Sequence, residues 1–510
     1  MTPSHTQPPR VAHRLKKTLV AALIAGTISL VVLIGLIVAS TILIARDSDT
    51  AQQAALSSAD RVLRQQRDFT LPDSTSNIPE ALDSKTLVGV VAKNQPAVVR
   101  ILTVYCADVS LVVGQASFQQ SDVCSAGVGS GSIISGDGYV ATNGHVVALS
   151  PLQALAGEVT SDEEVFDYLT FAVVAKLLTV DEAVTIGQGV ARDDVVAFAA
   201  LEDSITKIPS AGVRVQNADT SYGIQLSNEP IRVSRGETRL TIEYSNTIVS
   251  ASLIAIDFDQ ATADVSLQTG QFTSSDVALL KMKGNYPAVT LGSIDAIDVG
   301  DQLTAIGFPA FIDNSVSTDR WQTVPSITQG AVTDIFSDSS TNERAILSTS
   351  VPIAQGSSGG PSFDDRGQQV GLTTYSTLAC ANLQCFGDGQ VRDIADVRAL
   401  IKKNNITLSS SPIMSRWRQA LDDYTAGNFA QALAGFENAK KDYPQNYLVS
   451  PLALSARQQL GSVSDASATY QVRNVTTTVF LSIGAVLLLL VIVIVALIVR
   501  TTRAHHRSQA

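Results

Sequence analysis

The sequence between residues 351 and 372 reads VPIAQGSSGGPSFDDRGQQVGL, and this segment decides the fold. Small residues surround Ser358 in the stretch Gly356-Ser-Ser-Gly-Gly-Pro361. They allow a tight turn that directs the backbone N–H groups of Gly356 and Ser358 to one point, where they would stabilise an oxyanion. A hydroxyl is a poor nucleophile at neutral pH unless a base lies beside it. The segment predicts a nucleophilic serine, and an ordinary Ser/Gly loop is the alternative.

The candidate base lies upstream, where residues 129–147 read GSGSIISGDGYVATNGHVV. The chain has five histidines, and only His145 lies between its two long apolar segments. It follows a predicted strand, Tyr139-Val-Ala-Thr, which would hold the imidazole rigidly at the edge of a cleft. A lone histidine is more often a structural residue, so the assignment depends on the neighbouring motifs.

The third candidate is Asp276, in Ser274-Ser-Asp-Val-Ala-Leu-Leu280. An aspartate at the entry to an apolar strand can accept a hydrogen bond from the imidazole Nδ1–H and fix its tautomer. Many aspartates open strands, so this position alone is weak evidence. The chain order His, Asp, Ser matches that of the chymotrypsin class and differs from the orders in subtilisins and α/β-hydrolases.

Taken together, these motifs resemble the HtrA/Deg branch of the trypsin-like serine proteases over most of residues 84–405. The matching segments are NQPAVVRI (94–101), GSGSIISGDGYVATNGHVV (129–147), DVALLKM (276–282), VGDQLTAIGFP (299–309) and VPIAQGSSGGPSFDDRGQQVGL (351–372). The resemblance implies a mainly β fold, a chymotrypsin-like double β-barrel with the cleft between the barrels. It also implies catalysis by His145, Asp276 and Ser358, an oxyanion hole from Gly356 and Ser358, polypeptide substrates, and no metal or organic cofactor.

The substrate pocket is expected to be apolar. In trypsin-like enzymes a carboxylate six residues before the nucleophile selects Lys or Arg, and Pro352 stands at that position here. We therefore expect a small or medium apolar side chain at the P1 position. The strand containing Leu372, Thr373 and Thr374 is expected to bind extended substrate by strand addition.

The sequence departs from the family in three respects. The spacing between His145 and Asp276 is unusually long, which indicates an insertion at about residues 151–235. Within it, SDEEVFDYLTFAVVAKLL begins with Ser161-x-x-Glu164, which predicts a capped helix. Ser357 stands where the family has asparagine, and no PDZ-like sequence follows residue 405.

Two charge-free apolar segments, at residues 18–45 and 475–499, exceed the roughly 20 residues that span a bilayer. Buried core helices are the alternative. Basic residues precede the first segment and follow the second, which predicts cytoplasmic tails at 1–17 and 500–510 and an extracytoplasmic middle. All 47 acidic residues lie in that middle, which argues against nucleic-acid binding. A stalk at 46–83 and a linker at 463–474 would join the spans to the folded part.

All four cysteines, Cys106, Cys124, Cys380 and Cys385, lie in the predicted extracytoplasmic part. An even number in an oxidising compartment suggests disulfides. Their spacing favours the pairs Cys106–Cys124 and Cys380–Cys385. A zinc site is the alternative, although no histidine stands near them and no C-x₂-C motif occurs.

Residues 412–462 have apolar residues at helical spacing and a predicted break at Ala426–Gly427. The positions of Gly427, Ala432, Phe436, Ala439 and Pro444 resemble one tetratricopeptide repeat. A solenoid needs about three repeats, and only one is found here. The segment is therefore predicted to pack on itself or on the barrels, with self-association or binding of a protein partner as the alternative.

The sequence as a whole predicts a membrane-anchored, extracytoplasmic serine endopeptidase acting in protein quality control or regulated proteolysis. The competing hypothesis is a latent protease-fold scaffold or sensor that binds peptides or partner proteins without cleaving them.

Overall fold

The computed structural model describes residues 87–236, 238–259, 274–309, 324–337, 345–354, 356–376, 379–381, 384–386, 388–462 and 465–467, with isolated positions at 484, 487, 488 and 491. The predicted tails, the stalk and the span at 18–45 lie outside these residues, as does most of the linker and of the span at 475–499. Within the part described, no helix combines the length and the apolar character needed to cross a membrane.

The first barrel closes from six antiparallel strands in the order β1-β2-β3-β8-β7-β4. Their bounds are Val98–Val113 (β1), Ala116–Ile133 (β2), Tyr139–Thr142 (β3), Val213–Gln225 (β4), Ile248–Asp257 (β7) and Val277–Met282 (β8). A small hairpin of β5 (Val233–Arg235) and β6 (Leu240–Ile242) lies between β4 and β7 in the chain. Its Ile242 belongs to a buried apolar cluster that also contains Leu102 and Val104 of β1.

The second barrel also closes from six antiparallel strands, in the order β10-β11-β16-β13-β12-β9. Their bounds are Gln302–Gly307 (β9), Ser326–Ser337 (β10), Ala345–Thr349 (β11), Pro361–Phe363 (β12), Gln369–Ser376 (β13) and Gly389–Asp393 (β16). A two-stranded ribbon, β14 (Ala379–Ala381) with β15 (Gln384–Phe386), precedes β16. Two closed six-stranded barrels confirm the predicted double β-barrel.

The predicted insertion contains four helices rather than the one that the sequence indicated. After helix α1 (Leu87–Asn94) and the single turn α2 (Gly144–Val147), these are α3 (Pro151–Glu158), α4 (Asp162–Val174), α5 (Val180–Val190) and α6 (Val195–Thr206). Ser161 and Glu164 form the predicted capping box, and Thr179 and Glu182 form a second one. The helices end at Thr206, so the predicted range 151–235 also includes barrel strand β4, which pairs with β1 and β7.

These helices are held by the outer half of the long β1–β2 hairpin. The hairpin extends past the barrel, and its outer half shares a buried apolar cluster with all four helices. Phe118 of β2 packs edge-to-face on Tyr168 of α4, with 5.7 Å between ring centroids. Since α3 begins only six residues after His145, the helical region continues directly from the catalytic candidate.

Helix α7 (Ile394–Lys403) follows the second barrel, and three more helices follow it: α8 (Pro412–Thr425), α9 (Phe429–Asp442) and α10 (Val449–Gln459). The end of α8 and the start of α9 flank the predicted break at Ala426–Gly427. Among the described residues, 87–422 and 432–455 form one compact unit, whereas 423–431 and those from 456 onward belong to a second.

Within the larger unit, the C-terminal helices pack against the protease part. Trp417 of α8 is buried, its ring centroid lies 5.7 Å from that of Phe436 of α9, and its Nε1 donates to the Ala92 carbonyl at 2.8 Å. Tyr443 is also buried, and its hydroxyl donates to the Leu226 carbonyl at 3.4 Å. These contacts agree with packing on the barrels, whereas a tetratricopeptide-like binding role stays a prediction.

Candidate active site

His145 lies in the single helical turn α2, directly after strand β3. Asn143 caps this turn in an extended conformation, and the side chain of His145 is 37% exposed. The imidazole Nδ1 lies 2.8 Å from Oδ2 of Asp276. The backbone N–H of His145 donates to the other carboxylate oxygen at 2.9 Å, so both ends of the histidine are held by one aspartate.

Asp276 occupies the residue before strand β8, as the sequence predicted. Its φ of 52° lies in the left-handed region, which non-glycine residues seldom adopt and which is found at strained functional positions. The Asn143 side chain donates to its carbonyl at 2.8 Å, and the Thr374 hydroxyl donates to Oδ2 at 2.9 Å. The carboxylate therefore lies between the two barrels with three hydrogen-bond donors.

The two charges stabilise each other. Burial by itself would lower the pKa of His145, but the Asp276 carboxylate outweighs it and raises that pKa above its ordinary value. Burial would likewise raise the pKa of Asp276, but the charge of His145 and the donated hydrogen bonds hold it below its ordinary value. The pair thus favours an ionised aspartate that can stabilise an imidazolium.

Ser358 lies in the turn before strand β12 of the second barrel. Its Oγ donates to the backbone carbonyl of Thr374 at 2.7 Å. Among the described residues, no hydrogen bond joins this hydroxyl to His145. Thr374 therefore contacts both other candidates, with its side chain on Asp276 and its carbonyl on Ser358.

Two backbone donors of the turn are left without an acceptor among the described residues. The N–H groups of Ser357, Gly359 and Gly360 donate to backbone carbonyls. In contrast, the N–H groups of Gly356 and Ser358 have no acceptor within the described part of the chain. Those are the two donors that the sequence predicted for an oxyanion hole.

Gly359 must be glycine for two reasons. Its φ is +82°, and a Cβ there would lie 2.1 Å from the Thr142 hydroxyl and 2.3 Å from the Ser130 carbonyl. The nucleophile turn therefore packs directly on strand β2 and on the end of β3. This close approach brings the two barrels together beside His145.

A cavity of about 140 Å³ opens beside the turn. Its lining is mainly apolar or small, and consists of Ala305, Ile306, Gly307, Pro309, Ser326, Thr328, Pro352, Ile353, Ala354, Ser357 and Thr373. Two predicted substrate-binding residues, Pro352 and Thr373, line this cavity.

The other two predicted substrate-binding residues are placed differently. The Leu372 side chain is fully buried, because strand β13 lies between β12 and β16. Its backbone faces Pro361 on one side and Arg392 on the other, so Leu372 has no free strand edge for the predicted strand addition. The Thr374 hydroxyl donates to Asp276, a role that the sequence did not predict, and its part in substrate binding stays a prediction.

The four cysteines are arranged in two facing pairs. Cys106 and Cys124 are opposite each other in the β1–β2 register and form a disulfide in the structure. Cys380 and Cys385 are opposite each other in the backbone register of the β14–β15 ribbon. Among the described residues, no three His, Cys, Asp or Glu side chains lie close enough together to bind a metal ion.

Comparison with known proteins supports a protease. Residues 129–372 match the model of the trypsin-like peptidase domain. A probable periplasmic serine endoprotease DegP-like from Ectopseudomonas mendocina (strain ymp) is 38% identical over 101 residues, which is 20% of this chain and 19% of that relative. The putative protease Do-like 14 of Arabidopsis thaliana is 28% identical over 164 residues, which is 28% of this chain and 36% of that relative.

A solved structure, the HtrA-type protease AlgW with decapeptide, matches with a TM-score of 0.32 and 17% identity, over 62% of this chain and 66% of that one. Of the two relatives named above, the chain spans only 19% of the bacterial protein's length and 36% of the plant protein's length. The domain match and these relatives support a serine endopeptidase with an HtrA-like, trypsin-type catalytic domain.

Three residues of the site were not predicted in the roles that they take. Thr374 supports Asp276, Asn143 holds the Asp276 carbonyl, and Ser130 contacts the nucleophile turn. Asn143 and Ser130 lie inside the quoted segment 129–147, so their positions were in view. A hydroxyl or amide that bonds to backbone more than 100 residues away leaves no periodic signal in the sequence.

Proposed function

We propose that the chain is a serine endopeptidase in which Ser358 is the nucleophile, His145 the general base and Asp276 the residue that orients His145. One observation carries the proposal: Asp276 accepts from His145 in one barrel and from Thr374 in the other, and Thr374 in turn contacts Ser358. Three motifs distant in sequence thus converge on one carboxylate.

The reaction would follow from these groups. The Ser358 hydroxyl turns from the Thr374 carbonyl and attacks the carbonyl carbon of the substrate, while its proton passes to Nε2 of His145. The N–H groups of Gly356 and Ser358 bind the resulting oxyanion. His145 then gives the proton to the leaving amine, which leaves an acyl-enzyme on Ser358. A water molecule hydrolyses that ester by the same proton transfers in reverse.

The cavity supports an apolar P1 side chain. Its lining includes Pro352, Ile353 and Ala354, and the described residues that line it include no carboxylate that would bind Lys or Arg. Its volume of about 140 Å³ suits a small or medium side chain. We therefore expect cleavage after residues such as Ala or Val and slow cleavage after Lys or Arg.

The setting that we propose is the outer face of a membrane. The apolar segments at 18–45 and 475–499 would anchor the chain, and their basic flanks would keep both termini in the cytoplasm. The bacterial relative is described as periplasmic. We propose that substrates are unfolded or specific extracytoplasmic proteins, in quality control or regulated proteolysis.

A latent scaffold or sensor is the second candidate, and one observation favours it. The Ser358 hydroxyl is bound to the Thr374 carbonyl rather than to His145. In this orientation the serine is not activated by its base. If no ligand turned it toward His145, the domain would bind peptides without cleaving them.

The test is hydrolysis by the purified full-length chain of an unfolded protein and of peptides with Val or Arg at P1. We expect the Val peptide to be cleaved faster, and Ser358→Ala to remove all cleavage. Ser415→Ala, on an exposed part of α8, is the matched control and should behave as wild type. Peptide binding without cleavage by the wild type would favour the scaffold, and cleavage by Ser358→Ala would exclude Ser358 as nucleophile.

A further inference from the structure

Ser130 of strand β2 contacts the nucleophile turn with both its backbone and its side chain. Its backbone N–H donates to the Ser358 carbonyl at 2.8 Å. Its hydroxyl donates to the Gly356 carbonyl at 2.7 Å. Ser130 belongs to the first barrel and is fully buried, whereas the turn belongs to the second barrel.

The hydroxyl has a defined direction, because a second group fixes it. The backbone N–H of Phe308 donates to Ser130 Oγ at 2.8 Å. That bond occupies a lone pair of the oxygen and leaves its single proton for the Gly356 carbonyl. Ser130 thereby connects the oxyanion turn to the segment of Gly307 and Pro309, both of which line the cavity.

The two carbonyls that Ser130 holds belong to Gly356 and Ser358, the two residues whose N–H groups are the predicted oxyanion donors. The Gly356 carbonyl begins the peptide unit that follows the Gly356 N–H. The Ser358 carbonyl likewise follows the Ser358 N–H, which is the second donor. Each donor belongs to the peptide unit directly before the one whose carbonyl is held, so Ser130 fixes one side of Gly356 and of Ser358 and limits the rotation that would turn the donor away. Gly356, with φ of +89°, would otherwise rotate readily.

We propose that Ser130 is a positioning residue that holds the oxyanion turn in its active conformation through the Gly356 carbonyl. This inference rests on the proposed serine endopeptidase function. Within the described residues Ser130 forms no hydrogen bond with His145 or with the Ser358 hydroxyl, so we expect it to act through the turn. Its effect falls on the step in which the oxyanion forms, and therefore on kcat rather than on KM.

The surroundings of Ser130 fit a hydroxyl of this size. A Cβ added at Gly307 would lie 3.1 Å from Ser130 Oγ, and one at Gly360 would lie 3.1 Å from Ser130 Cβ. A larger side chain has no room there, and alanine would leave the Gly356 carbonyl and the Phe308 N–H buried without their partner. Such groups favour a rearrangement that restores hydrogen bonds.

Ser132 is a matched control on the same strand. It is also fully buried, and its hydroxyl also reaches the second barrel, where it donates to Oε1 of Gln369 at 2.8 Å. It makes no contact with the nucleophile turn among the described residues. Ser132→Ala therefore removes one buried hydroxyl between the barrels without touching the Gly356 carbonyl.

The test compares full-length wild type, Ser130→Ala, Ser130→Gly and Ser132→Ala in three measurements: hydrolysis of a peptide with Val at P1, labelling of Ser358 by a fluorophosphonate, and crystal structures. We expect the kcat of both Ser130 variants to fall by at least about tenfold. Deleting one oxyanion donor lowers kcat roughly 10²–10³-fold, and we expect the loss here to be smaller than that. KM and the pH at which activity falls on the acid side should not change. Ser132→Ala should stay within about twofold of wild type.

The outcomes separate this inference from the proposed function. Equal kcat in the Ser130 variants and Ser132→Ala would overturn the role of Ser130. A shift of the acid limb of the pH–activity profile in the Ser130 variants would also overturn it, because the effect would then lie at His145. A wild type that neither cleaves nor labels would contradict the endopeptidase. The structures then decide for Ser130: a Gly356 carbonyl that turns from β2 in Ser130→Ala but not in Ser132→Ala supports the role, and an unchanged carbonyl overturns it.

Discussion

Thr374 donates its side-chain hydroxyl to the Asp276 carboxylate at 2.9 Å, although the two residues belong to different barrels. The same residue accepts the Ser358 hydroxyl at its carbonyl. The orientation of the His145–Asp276 pair therefore depends on the second barrel as well as on the first. Docking of the barrels therefore brings the proposed catalytic groups together.

Replacement of Thr374 by valine keeps the shape of the side chain and removes this donor. Because the hydroxyl helps to hold the pKa of Asp276 low, its loss should raise that pKa and loosen the orientation of His145. We expect kcat/KM for a peptide substrate to fall about tenfold, equivalent to about 1.4 kcal/mol. Ser348→Ala removes a buried hydroxyl that pairs with Gln390 in the same barrel, and should leave kcat/KM unchanged. Equal losses in both variants would contradict a specific role for Thr374.

The pH dependence of activity should report the His145–Asp276 pair. His145 acts as a base only when neutral, so activity rises with pH through its pKa, which Asp276 raises above the ordinary value of about 6.5. The Asp276→Asn variant lacks the carboxylate that raises the pKa of His145. Burial, which lowers that pKa, then remains as the main influence. We expect the acid limb of kcat/KM to move to lower pH and kcat to fall by about 10⁴-fold. An acid limb at the same pH in both proteins would contradict the coupling.

Much of the site could be predicted because its residues occupy short motifs at element boundaries. His145 follows β3, Asp276 precedes β8 and Ser358 precedes β12, so each motif joins a turn signal to an apolar strand. Side-chain roles inside strand β13 could not be predicted in the same way. Residues 369–374 are all buried, so alternation does not show which face each side chain takes. Leu372 was therefore expected at the substrate and lies in the core.

Gly359→Ala should disrupt the nucleophile turn. The left-handed conformation by itself costs an alanine about 1–2 kcal/mol, and here its Cβ would also overlap Thr142 and Ser130. Gly114 is a matched control, since its φ is +62° and a Cβ there would meet nothing within 4 Å. We expect Gly359→Ala to lower the free energy of unfolding by about 3 kcal/mol or more and to abolish activity, and Gly114→Ala to lower it by about 1 kcal/mol. Denaturant unfolding measures both, and similar losses would show that the turn has room to adapt.

The Cys106–Cys124 disulfide should stabilise the first barrel and the helices on its hairpin. It closes a segment with a sequence separation of 18, and such loops correspond to about 3 kcal/mol. The double variant Cys106→Ala/Cys124→Ala should therefore unfold at lower denaturant concentration by that free energy. Cys380→Ala/Cys385→Ala changes only the short ribbon between β13 and β16, and should have a smaller effect. The reverse order would place the stabilising bridge in the second barrel.

The helical insertion contains more helices than the sequence analysis predicted. Ser161-x-x-Glu164 predicts the start of one helix, and Thr179-x-x-Glu182 carries the same signature at the start of α5. The extent of the region was harder to predict, because β4 is mostly exposed in its first half and lacks a continuous apolar face. Its place in the barrel depends on pairing with β1. Every paired residue of β1 lies more than 100 positions earlier in the chain, and such pairing leaves no local signal.

The central claim is that His145, Asp276 and Ser358 form one working site, and covalent labelling tests it most directly. The full-length wild type, His145→Ala and Ser358→Ala are treated with a fluorophosphonate, and the adducts are counted by intact mass. The account predicts one adduct on the wild type, at Ser358, and none on either variant. Labelling of Ser358→Ala to the same extent as wild type, or of His145→Ala at the same rate, would contradict it.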